Sequence, residues 1–163
     1  MPKLGLTRYG RSGSVTTIND ALRSVSTIFL DTAPVIYFVE QNQTYFARAK
    51  LFFDRLDASQ LTAVTSPITL AECLFYPYKQ ANTSLVQAFT QRLVTGINIQ
   101  FVAATASIAD QSAQLRAHYN LGFPDAFQIA TAIHTGCDAF LTNDHQLKRI
   151  TELKIIVLDE TEP

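Results

Sequence analysis

The sequence predicts an α/β protein of three layers, α/β/α, built around a central, mainly parallel sheet. Two observations carry that prediction. Short runs rich in strand formers ("TIFL", "LTAVTS", "INIQFVAA", "CDAFLTND", "KIIVLDE") alternate with longer segments whose apolar residues recur at helical spacing. The strand-like runs are also nearly continuous in apolar character, as expected of strands covered on both faces. A length of 163 residues with 47% hydrophobic residues suits one domain with a substantial core.

The elements follow in order. "MPKLGLTRYGRSGS" at the start has three glycines, the bases Lys3, Arg8 and Arg11, and no periodicity, and reads as a flexible arm. "TTINDALRSVS" could form a short helix capped by Thr17 or Asn19. Together these make an N-terminal extension, residues 1–25, in front of a domain spanning 26–160. "TIFL" is a strand ended by Asp31, and "VIYFVE" a short helix with Pro34 in its first turn. "QTYFARAKLFFDRLDAS" places Phe46, Ala49, Leu51, Phe52, Phe53 and Leu56 at helical spacing. After the strand "LTAVTS", Ser66 and Pro67 open a helix expected to break near Pro77. An amphipathic helix runs from Asn82 to Gly96, followed by the strand "INIQFVAA". "TASIADQSAQLRAHYN" is a helix with Ile108, Ala109, Ala113 and Leu115 expected inward. "FPDAFQIATAIHTG" is a helix with Pro124 in its first turn and Gly136 at its end. "CDAFLTND" is a strand, "HQLKRI" a short helix or turn, and "KIIVLDE" the last strand.

Composition excludes some classes. No apolar run approaches the roughly 18–20 residues of a membrane span, and the first residues hold no apolar block of a secretory leader. The cytoplasm is the expected compartment. A net charge of −1 does not announce a nucleic-acid binder and permits one only through a local patch. Cys73 and Cys137 lie in apolar surroundings without metal-site spacing, so they read as reduced core residues.

The carboxylates are more informative. Most lie among polar neighbours and read as surface; Asp138, just before a strand, reads as a turn residue. Asp31, Glu72, Asp125 and Asp144 stand in apolar company. Asp31 and Asp144 end strands, while Glu72 lies in the first or second turn of the helix after "LTAVTS" and Asp125 in the first turn of the helix opened by Pro124. In a parallel sheet all these positions fall on one edge, where ligands bind. Taken singly, Asp31 could cap the helix at Pro34, Asp125 could complement a helix N-terminus, and Asp144 could cap "HQLKRI". Glu72 has no cationic side chain within four residues. At ~5 Å and an effective dielectric of ~20, each pair of such acids costs about 3 kcal/mol. A hard cation relieves that repulsion. An oxygen-only set favours one or two Mg²⁺ or Mn²⁺ ions over zinc, with a phosphate as the natural substrate group.

The runs "IFLDTAPVIYF", "SPITLAECL", "PDAFQIATAIHTGCDAFLTND" and "IIVLDE" resemble the PIN-domain ribonucleases, and especially the toxin component of VapBC toxin–antitoxin modules. The resemblance extends from about Ile28 to Leu158 in the family's motif order. It implies a PIN-like parallel sheet, metal-dependent RNA cleavage, and the acids Asp31, Glu72, Asp125 and Asp144 as metal-binding and catalytic residues. Thr142 and Asn143 fall at the polar positions before the last acid, and Thr32 follows the first. The implied partners are RNA, a cognate antitoxin protein and a second copy of the chain. Ala33 stands where many members carry Asn, and the extension before Ser26 is longer than toxins usually show.

Further expectations concern the approach of RNA. Thr32 and Thr142 hydroxyls could hold water or phosphate, or make local backbone bonds. Arg48, Lys50, Lys79, Arg116, Lys148 and Arg149 could form a basic rim with Arg8 and Arg11. His145 could touch the RNA backbone, and Tyr45, Tyr76, Tyr78 and Tyr119 could stack on bases or pack in the core. Two rival readings are a non-cleaving scaffold that binds RNA or protein and a stand-alone RNA-processing nuclease. A receiver-like or phosphatase domain would need adjacent acids and a late lysine, which are missing.

Overall fold

A computed structural model describes residues 16–163. The arm expected over residues 1–14 lies outside the described residues.

Five parallel strands form the central sheet in the order β4-β3-β2-β5-β6. They are β2 (Thr27–Leu30), β3 (Thr62–Thr65), β4 (Ile99–Phe101), β5 (Ala139–Thr142) and β6 (Lys154–Val157). Side chains alternate across a strand, and here both faces are apolar. Ile28 and Leu30 of β2 enter one core, with Ala63, Ala139 and Leu141 from neighbouring strands. Phe29 points the other way and meets Val64 and Phe140 in a second core. The Phe29 and Phe140 rings stack at 5.1 Å. Each such fully buried side chain contributes about 1.5–3 kcal/mol. Two cores on opposite faces of one sheet make the three layers.

Helices cover each face. The first core is closed by α2 (Thr32–Val39), α3 (Phe46–Asp57), α4 (Pro67–Lys79) and α5 (Thr83–Val94), which contribute Val35, Phe52, Cys73 and Phe89 among others. The second is closed by α6 (Ala106–Tyr119) and α7 (Phe123–His134), through Ile108, Leu115, Phe127 and Ile129. Local chemistry starts these helices where expected. Ser66 accepts from Thr69 N–H, Asn82 from Leu85 N–H and Thr105 from Ile108 N–H. After α7 the chain reverses at Gly136 with φ +68°, a conformation that favours glycine. Two 3₁₀ turns, His145–Arg149 and Leu158–Glu160, follow β5 and β6. Both cysteines are buried and unpaired. No described helix is long and apolar enough to cross a membrane.

Three expectations are corrected. First, α4 does not break at Pro77 but runs on to Lys79. Pro77 forgoes the bond to the Cys73 carbonyl, and the helix ends two residues beyond it. Second, α6 buries Ile108, Ser112 and Leu115, at spacings of four and three, while Ala109 and Ala113 are exposed. Third, residues 16–25 are not a loose part of the extension. Strand β1 (Thr16–Thr17) pairs in parallel with β7 (Thr161–Glu162), and α1 (Ile18–Ala21) is capped by Thr17. Ile18, Ala21, Leu22 and Val25 belong to the first core. Lys154 Nζ donates to Ala21 O at 2.5 Å and pins the segment. The packed unit therefore reaches back at least to Thr16, ahead of the boundary expected at 26.

Asp138 fastens this arrangement. Its carboxylate accepts from the N–H groups of Ser26 (2.8 Å) and Thr27 (3.0 Å), joining the start of β2 to the start of β5. Those backbone bonds hold its carboxyl below the ordinary value of 3.8. Asp138→Ala is expected to lower the unfolding free energy in urea by about 1–2 kcal/mol at neutral pH. A depressed folded pKa means that this contribution is present above the ordinary value and lost as pH falls through the folded one. The two proteins should therefore converge in stability in acid.

Candidate active site

The sheet's C-terminal edge gathers the chemistry-bearing side chains. Asp31 follows the last residue of β2, and its N–H donates to Leu141 O at 3.0 Å, extending the β2–β5 ladder. The residue is 9% exposed. Thr32 N–H donates to its Oδ1 at 2.7 Å, and the fully buried Thr142 hydroxyl donates to its Oδ2 at 2.6 Å. Asp31 thus caps α2 at the C-terminal edge of the sheet.

Thr142 also shapes the loop that follows. Its Oγ1 accepts from Asp144 N–H at 2.9 Å, which curls the chain so that Asp144 stands at the same edge. Asp144 is exposed, and its Oδ1 caps the 3₁₀ turn through Gln146 N–H at 2.8 Å. Glu72 lies in the second turn of α4, a helix tied to the end of β2 by Thr69 Oγ1 donating to Leu30 O at 3.4 Å. Its Oε2 accepts from the Thr32 hydroxyl. Asp125 sits half-buried in the first turn of α7.

The acids feel one another. Burial, followed by the charges of Asp125 and Glu72, pushes the Asp31 carboxyl up to about 6 against the lowering effect of its two hydrogen bonds. Burial, then the charges of Asp144 and Glu72, also raises Asp125. None of the four acids forms an ion pair among the described residues. Among the described residues no three His, Cys, Asp or Glu side chains converge tightly enough to hold an ion alone. An ion at this edge would take part of its shell from water. That habit, with an oxygen-only donor set, fits Mg²⁺ or Mn²⁺.

Other expected participants are placed differently. The Thr32 hydroxyl bonds to the Glu72 carboxylate, while the Thr142 hydroxyl donates to Asp31 and also makes the local backbone bond from Asp144 N–H. Asn143 donates from Nδ2 to Tyr37 OH (3.2 Å) and accepts from Asp159 N–H (2.8 Å), so it anchors the loop. His145 lies between Asp159 (3.4 Å) and Glu160 (3.2 Å). Of the rim cations, Lys50 pairs with Asp54, Lys148 with Glu160, and Arg48 donates to Thr161 O. Arg116 donates to Leu121 O, and Arg8 and Arg11 lie outside the described residues. Tyr119 donates to Glu152 and Tyr45 to Asp159, whereas Tyr76 and Tyr78 stay exposed beside Phe75.

Sequence reasoning missed Gln128. It is 1% exposed on α7, and its Nε2 donates to Glu72 Oε2 at 2.9 Å. Its signal was present: a lone amide in the run "AFQIATA", three residues after Asp125 and so on the same helix face.

Comparison with known proteins bears on the family and the fold. The family model described as PIN domain matches residues 28–153. Among solved structures, VapBC2 from Rickettsia felis bound to a promoter DNA fragment is similar at 20% identity. It covers 80% of this chain and 98% of that one, with a TM-score of 0.61. DNA-bound VapBC from Salmonella typhimurium is similar at 21% identity, covering 82% and 98%, with a TM-score of 0.62. Mycobacterium tuberculosis VapC20, a sarcin-ricin loop cleaving toxin, is similar at 19% identity, covering 78% and 98%, with a TM-score of 0.60. No curated protein matches the chain by sequence.

The raised Asp31 carboxyl has a stability consequence. A folded pKa of about 6 against an ordinary 3.8 favours folding below the ordinary value, and that advantage is lost as pH rises through about 6. Without divalent cations, Asp31→Asn is expected to unfold at higher urea than wild type at neutral pH, by up to about 3 kcal/mol. The difference should vanish in acid below the ordinary carboxyl range.

Proposed function

Because the chain belongs to the PIN domain family, we propose that it is a divalent-cation-dependent endoribonuclease that hydrolyses RNA phosphodiester bonds. One observation carries this reading most directly. Asp31 is buried and Asp125 half-buried, and each is raised first by that burial and then by the charge of Glu72 and of another site acid, without an ion pair to offset it. Such a site is built for a cation that the protein does not itself supply.

In this reading Asp31, Asp125 and Asp144 hold Mg²⁺ or Mn²⁺, with Glu72 holding a second ion or orienting the attacking water. The ion, when bound, supplies Lewis acidity that activates water and offsets charge on the phosphodiester during in-line displacement. The chain's own part is positional. Thr142 holds Asp31 and turns the loop that carries Asp144. Thr32 engages one oxygen of Glu72, and its backbone N–H engages Asp31. Asn143 ties the Asp144 loop to Tyr37 and to the turn after β6.

The solved relatives include toxin–antitoxin complexes, which supports a toxin role with a cognate antitoxin and a second copy of the chain as partners. A toxin of this kind acts on cellular RNA, so its place of action is the cytoplasm. The spread of the acids favours a second reading, a scaffold that binds RNA or protein without cutting.

Incubation of the purified protein with single-stranded RNA and Mn²⁺ separates the two. Cleavage is expected, abolished by EDTA and reduced at least ~100-fold in Asp31→Ala and Asp125→Ala, in line with loss of groups that stabilise a transition state. RNA binding without cleavage in wild type would favour the scaffold.

A further inference from the structure

Gln128 is expensive where it stands. It occupies the middle of the apolar face of α7, between Phe127 and Ile129, and is 1% exposed. Its Oε1 is buried and has no hydrogen-bond partner. A methionine or leucine would fill the same space without burying an unpartnered carbonyl. The amide's orientation is nevertheless dictated. Turning it over would set Oε1 against a carboxylate oxygen, so Nε2 must face Glu72. From there Nε2 donates to Glu72 Oε2 at 2.9 Å and approaches Thr32 Oγ1 at 3.5 Å.

Glu72 Oε2 therefore receives two donors, Gln128 from α7 and Thr32 from the start of α2. Glu72 Oε1 accepts no hydrogen bond from the described residues. Glutamate has three rotatable bonds and would otherwise sample several rotamers. Gripping one oxygen from two elements selects a single rotamer and leaves the other oxygen available.

We propose that Gln128 is a positioning residue, whose amide clamps one oxygen of Glu72 so that the other is presented to a hydrated divalent cation or the attacking water. The role rests on the nuclease reading above. It also explains why a helix buried on most of its length keeps one amide three residues beyond Asp125. Both residues lie on the same face, so one helix delivers an acid to the site and a brace to its neighbour.

The test compares wild type with Gln128→Met, Gln128→Asn and Gln128→His. Each is measured for thermal unfolding, for Mn²⁺ affinity by calorimetry and for RNA cleavage. Gln128→Met should melt at or above the wild-type temperature, yet bind Mn²⁺ about tenfold or more weakly, the usual scale for groups that orient a ligand. Gln128→Asn keeps the amide but is one methylene short and should show the same loss. Gln128→His can present a ring N–H and should recover part of it. Wild-type affinity and cleavage in Gln128→Met would overturn the proposal while leaving the nuclease reading intact. Absence of both Mn²⁺ binding and cleavage in wild type would instead overturn the nuclease reading. The clamp is then judged on the cation-free protein by side-chain amide NMR. Slow solvent exchange of the Gln128 amide protons, lost in Glu72→Ala, supports the clamp, and unchanged protection overturns it.

Discussion

A carboxylate at the buried exit of the central strand constrains much of this molecule. Asp31 cannot stay charged in that place unless both oxygens are served, and its donors come from different parts of the fold. One is the backbone of its own helix start. The other is the Thr142 hydroxyl, available only because β5 lies beside β2 in register. The same hydroxyl sets the loop of Asp144, and Thr32 reaches on to Glu72 and so to Gln128. A single hydrogen-bonded chain thus runs through three of the four acids, and α7 brings the fourth on the helix that carries Gln128.

Much of this was legible in the sequence, for a physical reason. Helix caps, strand runs and the Gly136 reversal depend on neighbours within a few residues, and such features show in a one-dimensional reading. The four acids were conspicuous because charge in apolar company needs explaining. Gln128 was less conspicuous, being neutral, and its partners lie 56 and 96 residues away. Asp138 read correctly as a residue before a strand, but its hold on Ser26 and Thr27 spans more than a hundred residues.

The misread features have separate causes. Alanine carries little hydrophobic signal, so the buried face of α6 could not be chosen between Ala109, Ala113 and Ser112 by pattern alone. Pro77 reads as a breaker, yet α4 carries on for two more residues before it stops. The segment from Thr16 to Val25 looks like an appendage in sequence because its partners, β7 and Lys154, come at the far end of the chain. The Thr142 hydroxyl makes the local backbone bond that its position allows and also braces Asp31, whereas the Thr32 hydroxyl braces Glu72.

The placement of β2 at the centre of the sheet also bears on how the protein is made. Strand β2 leaves the ribosome early, but one of its two sheet neighbours is β5, and the Asp31–Thr142 bond spans 111 residues. Chains emerge from the N-terminus onward, and long-range pairing waits for the later partner. Asp31 and Glu72 are therefore exposed on a growing chain well before Asp125, Gln128 and Thr142 exist to complete their surroundings. Assembly of the acidic edge is confined to a nearly finished polypeptide, so a chain interrupted before α7 carries the first two acids with no site to put them in.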